Sequence, residues 1–248
     1  ERIANTRAAN LGLAPEVVAF LAPERYLVTR FVVGEPVPAE VMRGPAMLTR
    51  VAAMLREFHG SGPLPGAFDC FRIPEISAAN ARERGVAIPE AYDGALERAR
   101  EIEAAFDASP EPRVPCHNDL LNANFLRDQS DENDRVWLLD WEYAGTNERS
   151  FDLGNLSVNN ELDADGETAL LEAYFGAATP RRQARLALMK IMSDLREAMW
   201  AVVQQGISTI DFDYVGYAQQ HFDRLLGNAA APGYRALLDD AAGPDSSS

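Results

Sequence analysis

The sequence predicts an α+β protein in which a small β-containing segment precedes a mostly helical body. Apolar and β-branched residues at 16–22 and 26–33 are typical of two strands near the start of the chain. Longer segments with apolar residues three and four positions apart follow, which favours amphipathic helices. Between these helices, residues 113–140 contain two short β-like runs around a polar stretch. We expect this stretch to form one β-rich hairpin inside the helical body.

Length and composition limit the class of protein. At 248 residues the chain is long for one compact core and short for two full domains. Its 47% hydrophobic and 25% charged residues are ordinary for a soluble globular protein. No apolar run approaches the roughly 20 residues of a membrane span. The two cysteines, Cys70 and Cys116, suggest no disulfide framework, so we expect a cytoplasmic location and no membrane insertion.

The charge is strongly negative, with a formal net value of −15 at pH 7. A surface of this sign repels nucleic acid and anionic membranes, and it tolerates or attracts cationic ligands. Solubility alone also explains such a charge. We therefore expect no nucleic-acid partner, and a cationic small molecule is compatible with the charge.

The first elements suggest a two-part organisation. Residues 1–14 are predicted to form a helix that stops at Gly12. The second strand ends at Gly34, and the prolines that follow break regular structure, which predicts a linker. We assign 1–33 to the remnant of an N-terminal lobe and 34–248 to a C-terminal catalytic and substrate-binding lobe.

The remaining chain is predicted to be helical apart from the hairpin. Pro45 lies near the start of one helix, and the glycines and prolines of 60–66 predict a loop after it. Residues 241–248 (AAGPDSSS) have the composition of a disordered tail. The predicted helices are 44–59, 90–107, 151–161, 166–177, 181–205 and 214–228.

One polar stretch carries a chemical motif. His117-x-Asp119-Leu120-x-x-x-Asn124 has the spacing of a kinase catalytic loop. Asp140 comes sixteen residues after Asn124, at the end of the apolar run that starts at Val136. In kinases a metal-binding aspartate occupies such a strand end. The spacing therefore predicts a site for phosphoryl transfer.

The chemistry of phosphoryl transfer explains these residue types. The reaction needs an oriented nucleophile and neutralised charge more than covalent help from the protein. We assign Asp119 to the hydroxyl proton of the acceptor. Asn124 and Asp140 supply the hard oxygen ligands that Mg²⁺ prefers, against the phosphates of ATP. His117, the second residue predicted for the catalytic step, orients the loop through hydrogen bonds.

Two segments carry a family resemblance. HNDLLNANF, followed by LLDWEYAGTNERSFDLGN, resembles the choline/ethanolamine kinases within the wider group of aminoglycoside-phosphotransferase-like proteins. Residues 193–223 resemble that family's C-terminal substrate helices. The resemblance implies a protein-kinase-like fold with a mostly helical C-lobe and a partial N-lobe. It also implies ATP, Mg²⁺, a small cationic alcohol as substrate and, as an option, a homodimer. Asp152 matches the family pattern, and we expect it to hold the catalytic loop through buried hydrogen bonds.

The same resemblance assigns a partial nucleotide site. The segment LVTRFVVGEP lies where the family has its hinge, whose backbone would hold adenine. Glu1 falls at the helix position whose carboxylate pairs with the ATP-binding lysine. The glycine-rich loop and that lysine would lie upstream, so we expect the chain to begin inside a longer protein. The predicted nucleotide-binding residues are Glu1, Thr29, Arg30, Phe31 and Val32.

The resemblance also implies a substrate pocket with two departures from the family. Trp200 and Tyr217 lie where the family lines its choline pocket, although either could instead be an ordinary core residue. Glu197 replaces a second tryptophan, and Asn159 replaces a pocket glutamate. A carboxylate at this position would favour a substrate with N–H donors, such as ethanolamine, over choline. Alternatively, Glu197 turns to solvent and pairs with Arg196. The predicted substrate-binding residues are Glu142, Asn159, Glu197, Trp200 and Tyr217.

Other functions stay open at this point. An aminoglycoside or other small-metabolite kinase would suit the acidic surface equally well, but residues 193–223 favour an amino-alcohol kinase. A pseudokinase or incomplete C-lobe is supported only by the missing N-lobe, because Asp119, Asn124 and Asp140 are all present. The three histidines and two cysteines offer no zinc-ligand spacing, and no G-x-S-x-G motif indicates a serine nucleophile.

Overall fold

A computed structural model describes residues 1–131 and 134–245. The chain forms two compact units. The first unit comprises Glu1–Phe68 and Arg113–Ala178, and the second comprises Asp69–Pro112 and the chain from Thr179 onward. The boundary between residues 33 and 34 stays a prediction, because these units follow a different division of the chain.

The described residues alternate short strands with helices. The helices are α1 (Arg2–Asn10), α2 (Ala39–Met42), α3 (Pro45–His59), α4 (Ile73–Glu83), α5 (Ala91–Ala108), α6 (Arg149–Asn159), α7 (Ala164–Phe175), α8 (Pro180–Gln204), α9 (Tyr214–Ala230) and α10 (Tyr234–Ala242). The strands are β1 (Val17–Leu21), β2 (Tyr26–Thr29), β3 (Gly34–Pro36), β4 (Val114–Cys116), β5 (Phe125–Asp128), β6 (Val136–Leu138) and β7 (Gly145–Asn147). None of the described helices is long and apolar enough to cross a membrane.

The first unit begins as predicted, with a helix and a β-hairpin. β1 and β2 pair antiparallel, with Val17 opposite Thr29 and Leu21 opposite Tyr26. α1 is shorter than predicted and ends at Asn10, and Gly12 follows with a φ of +74°. Glycine reaches this left-handed conformation at little cost, so its prediction as a helix stop is confirmed.

The break in regular structure predicted after Gly34 is wrong, because Gly34–Pro36 forms an edge strand, while a linker between two domains stays a prediction. β3 pairs antiparallel with β5, with Gly34 opposite Asp128 and Pro36 opposite Leu126. A Cβ atom on Gly34 would lie 2.4 Å from the main-chain oxygen of Arg127, so only glycine allows this approach. Proline is tolerated in edge strands, which explains how a segment with breaker residues joins the sheet.

The single predicted hairpin is also wrong, because its two strands have different partners. β4 pairs with β7, whereas β6 pairs with β5, which we did not predict. The sheet order is β3-β5-β6, with Phe125 opposite Leu138. Residues 117–124 therefore connect β4 to β5, and residues 139–144 connect β6 to β7. This topology places the two polar connections that carry the predicted site in one unit.

Helix α3 packs its apolar face against the part of the first unit that carries these connections. All the apolar residues of its predicted face are buried: Met47, Leu48, Val51, Met54, Leu55 and Phe58. α3 packs against α7, and the Phe58 ring lies 4.5 Å from that of Trp141, next to Asp140. The helix therefore supports the connection between β6 and β7.

The second unit is helical. The 25-residue helix α8 packs against α4, α9 and α10, of which α4 and α10 were not predicted. The predicted disordered tail is wrong in its first part. α10 extends to Ala242, and the Asp245 carboxylate accepts hydrogen bonds from Thr179 and Arg182, both at 2.6 Å. Residues 246–248 of the predicted tail lie outside the described part of the chain.

Candidate active site

The loop that the sequence predicts to be catalytic, residues 117–124, places Asp119 beside Asn124, and we call it the catalytic loop. A short 3₁₀ turn over Asn122–Asn124 bends the chain back toward Asp119. Asn124 Nδ2 donates to the main-chain oxygen of Asp119 at 2.9 Å and approaches its Oδ2 at 3.4 Å. Because the amide nitrogen is used in this way, the amide oxygen of Asn124 is the atom available to a cation. Asp119 itself is buried.

Asp140 is fixed to the catalytic loop through the backbone. The N–H of Leu139 donates to the main-chain oxygen of Asn124 at 2.8 Å. Asp140 follows directly, with a φ of +61° in the left-handed region that non-glycine residues rarely adopt. Such conformations persist where the surrounding structure enforces them, and they cluster at functional sites. The structure thus ties the Asp140 segment to Asn124, sixteen residues away in sequence.

Acidic groups gather around this loop. Burial and the charge of Asp140 raise the pKa of Glu142, with smaller contributions from Asp119 and Glu1, while a hydrogen bond from Tyr143 opposes the shift. Mutual repulsion of carboxylates is relieved when a cation binds between them. The donor set of carboxylate and amide oxygens is the one that Mg²⁺ prefers.

His117 links the segment that contains Leu139 and Asp140 to the loop that contains Asp119. Its Nε2 lies 2.9 Å from the main-chain oxygen of Leu139. Because a carbonyl oxygen can only accept a hydrogen bond, Nε2 is the donor. Its Nδ1 accepts the N–H of Asp119 at 3.2 Å. Both ring nitrogens are therefore engaged, and the ring packs 4.6 Å from that of Trp141. This arrangement holds the neutral Nε2–H tautomer and leaves no ring nitrogen for proton transfer.

Asp152 lies under the catalytic loop. Its Oδ2 accepts the N–H of His117 at 2.8 Å, and its Oδ1 accepts the N–H of Asn118 at 2.7 Å. Asn118 has a φ of +70°, and its side chain donates to the main-chain oxygen of Tyr143 at 2.9 Å. Asn155, one turn along α6, accepts the N–H of Leu120 at 2.5 Å. Two side chains of α6 thus hold three amides of the loop, those of His117, Asn118 and Leu120.

Two further residues of this network were not predicted from the sequence. His59, the last residue of α3, hydrogen-bonds Asp152 Oδ2 at 3.0 Å and the Tyr174 hydroxyl at 2.6 Å. The signal that could have found His59 is a polar residue at the end of a helix whose buried face is otherwise apolar.

The predicted nucleotide residues fall into two groups. Glu1 lines a cavity of about 660 Å³, formed by α1, the β1–β2 hairpin, residues 64–66 and Ala144. The residues predicted for the hinge do not line that cavity. Thr29 ends β2, the Arg30 guanidinium is paired with Glu16 at 2.6 Å, Phe31 is 86% exposed, and Val32 is half-buried.

In the second unit, Trp200 and Tyr217 belong to a cluster of aromatic rings. The Trp200 ring on α8 lies 6.2 Å from Tyr217 and 5.9 Å from Tyr214, both on α9. Phe212 lies 5.7 Å from Tyr217 and is half exposed. We call Trp200, Phe212, Tyr214 and Tyr217 the aromatic cluster. Ring faces of this kind attract organic cations.

Glu197 borders the aromatic cluster and is buried, at 4% exposure. Its Oε1 is paired with the Arg196 guanidinium, and its Oε2 accepts the Tyr217 hydroxyl at 3.3 Å. Burial and the Glu197 charge raise the pKa of Tyr217, so the phenol keeps its proton and donates it. The expected pairing with Arg196 is present, whereas the expected rotation of Glu197 to solvent is wrong.

The remaining two substrate-site predictions lie in the first unit. Glu142 follows Asp140 within the acidic group described above. Asn159 is the last residue of α6 and is half-buried. Its Nδ2 atom is buried without a hydrogen-bond partner among the described residues.

Comparisons with known proteins show the family of this chain. The phosphotransferase enzyme family matches residues 1–188. A choline/ethanolamine kinase family protein from Mesorhizobium loti superposes with a TM-score of 0.85 at 30% identity, covering 98% of this chain and 83% of that one. Ethanolamine kinase 2 from Mus musculus is 29% identical over 243 residues, or 87% of this chain. The chain spans 61% of the length of that mouse protein.

An aminoglycoside-3'-phosphotransferase of type VIII superposes with a TM-score of 0.54 at 23% identity, over 77% of each chain, and this likeness concerns the fold alone. The predicted protein-kinase-like fold is confirmed. The chain belongs to the phosphotransferase enzyme family and, within it, to the choline/ethanolamine kinase family.

Proposed function

We propose that this chain is the catalytic part of an ATP-dependent phosphotransferase acting on the hydroxyl of a small cationic amino alcohol, choline or ethanolamine. The observation that carries the proposal is the juxtaposition of Asp119, Asn124 and Asp140 through the Asn124 hydrogen bonds and the Leu139–Asn124 backbone bond. Family membership and relatives named ethanolamine kinase support the same conclusion. The domain assignment belongs to the proposal, with 1–33 from the N-lobe and 34 onward from the C-lobe.

In the proposed mechanism, Asp119 orients the acceptor hydroxyl and takes its proton as the hydroxyl oxygen bonds the γ-phosphorus of ATP and the bond from that phosphorus to ADP breaks. The hydrogen bond from Asn124 and the N–H bond from Asp119 to His117 hold this carboxylate in place. His117 is a positioning residue, because both ring nitrogens are already engaged. Asp152 holds the loop in place by accepting the backbone N–H groups of His117 and Asn118.

A magnesium ion fits the residues of the site. The amide nitrogen of Asn124 donates to Asp119, so its amide oxygen is the atom that can bind a cation. Asp140 is exposed and follows β6. Asn124 and Asp140 would hold the ion. When bound, Mg²⁺ neutralises charge on the phosphates during transfer. Glu1 would pair with the nucleotide-binding lysine, and the backbone of residues 29–32 would hold adenine.

The substrate part of the proposal rests on the aromatic cluster and on acidic residues. Each ring face contributes roughly 0.5–2 kcal/mol toward a cation, depending on its desolvation. Glu197 Oε2 is an acceptor for a substrate N–H, which choline lacks and ethanolamine has. Glu142 and Asn159, in the first unit, stay predicted substrate-binding residues. A cytoplasmic homodimer stays part of the proposal.

Turnover with ATP and Mg²⁺ on choline, ethanolamine and two aminoglycosides tests this function. We expect phosphorylation of one amino alcohol, measured as ADP release and as product mass. Preference for an aminoglycoside would replace the proposal with the alternative of an antibiotic kinase. No turnover on any acceptor, by a chain that unfolds cooperatively, would favour a catalytically incomplete fragment.

A further inference from the structure

We propose that His59 and Tyr174 are positioning residues that hold the Asp152 carboxylate and, through it, the catalytic loop. The proposal rests on the proposed function, because it concerns how that loop is kept in a reactive geometry. Neither residue belongs to the loop or to the proposed ligand set. The two come from α3 and α7, helices that pack against each other in the first unit.

A continuous chain of hydrogen bonds links these helices to the loop. The Tyr174 hydroxyl lies 2.6 Å from His59 Nδ1, and His59 Nε2 lies 3.0 Å from Asp152 Oδ2. Asp152 then accepts the amides of His117 and Asn118. Tyr174, His59 and Asp152 are 5%, 6% and 0% exposed, so water competes little for these bonds.

The donors and acceptors allow one consistent direction of donation in this series of hydrogen bonds, from Tyr174 through His59 to Asp152. A carboxylate only accepts, so His59 Nε2 carries a proton toward Asp152. In the neutral ring Nδ1 is then the acceptor, and it takes the proton of the Tyr174 hydroxyl. Arg149 also hydrogen-bonds the Tyr174 side chain, and burial raises the pKa of Tyr174, which keeps the phenol protonated.

A metal ion is the other explanation for this cluster. Ligand atoms of His59, Cys116 and Asp152 lie within 4.8 Å of one another and are buried. However, both oxygens of Asp152 accept backbone amides, and both nitrogens of His59 already have partners. A metal would have to displace these bonds and release the catalytic loop. The geometry therefore favours a hydrogen-bonded support.

This network of hydrogen bonds matters for catalysis because, among the described residues, Asp152 Oδ2 bonds His59 and the N–H of His117 in the loop. Loss of the imidazole would let the carboxylate rotate, and His117 and Asp119 would move with it. Displacement of a reacting group by about 1 Å costs up to ~100-fold in rate. Substrate binding through the second unit would be affected much less.

Four variants test the proposal. His59→Ala removes the donor to Asp152, whereas His59→Gln keeps an N–H at the same reach. Tyr174→Phe removes the hydroxyl alone. Tyr234→Phe is the matched control, since it also removes a buried phenol that hydrogen-bonds the main-chain oxygen of Arg98 at 3.4 Å and the side chain of Glu101, but in the second unit.

The readouts are kcat and KM for the preferred amino alcohol and hydrogen exchange of the His117 and Asn118 amides. We expect kcat to fall about 10- to 100-fold in His59→Ala and several-fold in Tyr174→Phe, with KM nearly unchanged. Protection of the two amides should fall by about tenfold or more in both variants, and His59→Gln should restore much of each loss. Tyr234→Phe should leave kcat and both amides as in the wild type.

The exchange measurement separates this proposal from the proposed function. If no amino alcohol is turned over, amide protection still reports whether His59 and Tyr174 hold the loop. Unchanged protection in His59→Ala, or equal loss in His59→Ala and His59→Gln, would overturn the proposal. Binding of one zinc ion by the wild type with tighter protection of the same amides would replace it with the metal site.

Discussion

The Tyr217 hydroxyl donates to Oε2 of Glu197 at 3.3 Å, at the edge of the aromatic cluster. This carboxylate is buried and already paired with Arg196, so it does not act as an isolated anion. A substrate ammonium with N–H groups can share Oε2 with Tyr217, whereas a quaternary ammonium gains only ring contacts. Discrimination between the two substrates should therefore depend on Glu197.

We predict that Glu197→Gln lowers kcat/KM for ethanolamine by about tenfold, the loss expected for one hydrogen bond to a charged group. The change for choline should be less than threefold or so. Any loss of stability from leaving Arg196 without its counter-charge affects both substrates, so their ratio is the measurement. An unchanged ratio, or a wild type that prefers choline, contradicts the prediction.

Sequence reasoning succeeded where the determinants are local. The catalytic motif fixes its own loop, since Asp119 and Asn124 are five residues apart and are joined by a side-chain hydrogen bond. All six apolar residues predicted for the face of α3 are buried, because helical periodicity is a short-range signal. These parts need no knowledge of distant contacts.

Sequence-based predictions were wrong where a strand or side chain takes its structure from a partner far away in sequence. Gly34 and Pro36 signal a break, but pairing with β5, about ninety residues later, makes them a strand. β4 and β6 were predicted as partners because they are close in sequence, and the actual partner of β4 is β7. The support of Asp152 by His59 belongs to the same class, since 93 residues separate the two.

Asp119→Asn should nearly abolish turnover. The amide keeps the shape of the side chain but cannot take the hydroxyl proton, so we expect kcat to fall by about 10²–10⁴-fold with little change in KM. Steady-state kinetics measure this directly. Asp93→Asn, an exposed change in the first turn of α5, is the matched control and should leave both constants unchanged. Retention of a tenth or more of the activity would remove Asp119 from its proposed role.

Asp140→Asn should weaken the response to magnesium. An amide oxygen is a poorer ligand than a carboxylate, so we expect the Mg²⁺ concentration for half-maximal activity to rise about tenfold or more. The measurement is turnover across a magnesium titration at saturating ATP. Asp128→Asn provides the control, because Asp128 ends β5 and serves Ser130 and Trp137 instead. An identical magnesium response in Asp140→Asn would exclude Asp140 as a ligand.

The close packing of Gly34 in the edge strand β3 can be tested by substitution, with Gly227 in α9 as the comparison. Gly34→Ala would force a Cβ atom against the Arg127 main-chain oxygen, which cannot move without breaking the β3–β5 pairing. We expect a loss of about 2–4 kcal/mol in the free energy of unfolding. Gly227→Ala lies in α9 with open space around its Cβ and should add about 0.5–1 kcal/mol. Urea unfolding measures both, and a Gly34→Ala variant as stable as the wild type would argue against the strand.

Asp245 gives a prediction about pH. Burial alone would raise the pKa of Asp245, but hydrogen bonds from Thr179 and Arg182 and the charge of Arg181 lower it below its usual value. An unfolded aspartate has a pKa of about 3.9, so the folded carboxyl binds its proton less readily. Its stabilising contribution is therefore complete above the unfolded pKa and is lost as the pH falls through the folded pKa.

We accordingly expect Asp245→Asn to lower the free energy of unfolding by about 0.5–1 kcal/mol at pH 7, a modest value because both partners are partly exposed. Well below pH 3.9 the variant and the wild type should converge, since the carboxyl is then protonated in both states. Urea unfolding at pH 7 and at the lowest pH that keeps the wild type folded measures the difference. Asp239→Asn, on the exposed face of α10, should change it little at either pH. A difference between wild type and Asp245→Asn that grows as the pH falls would contradict the assignment of Asp245 as an ion-paired carboxylate that anchors the end of the described chain.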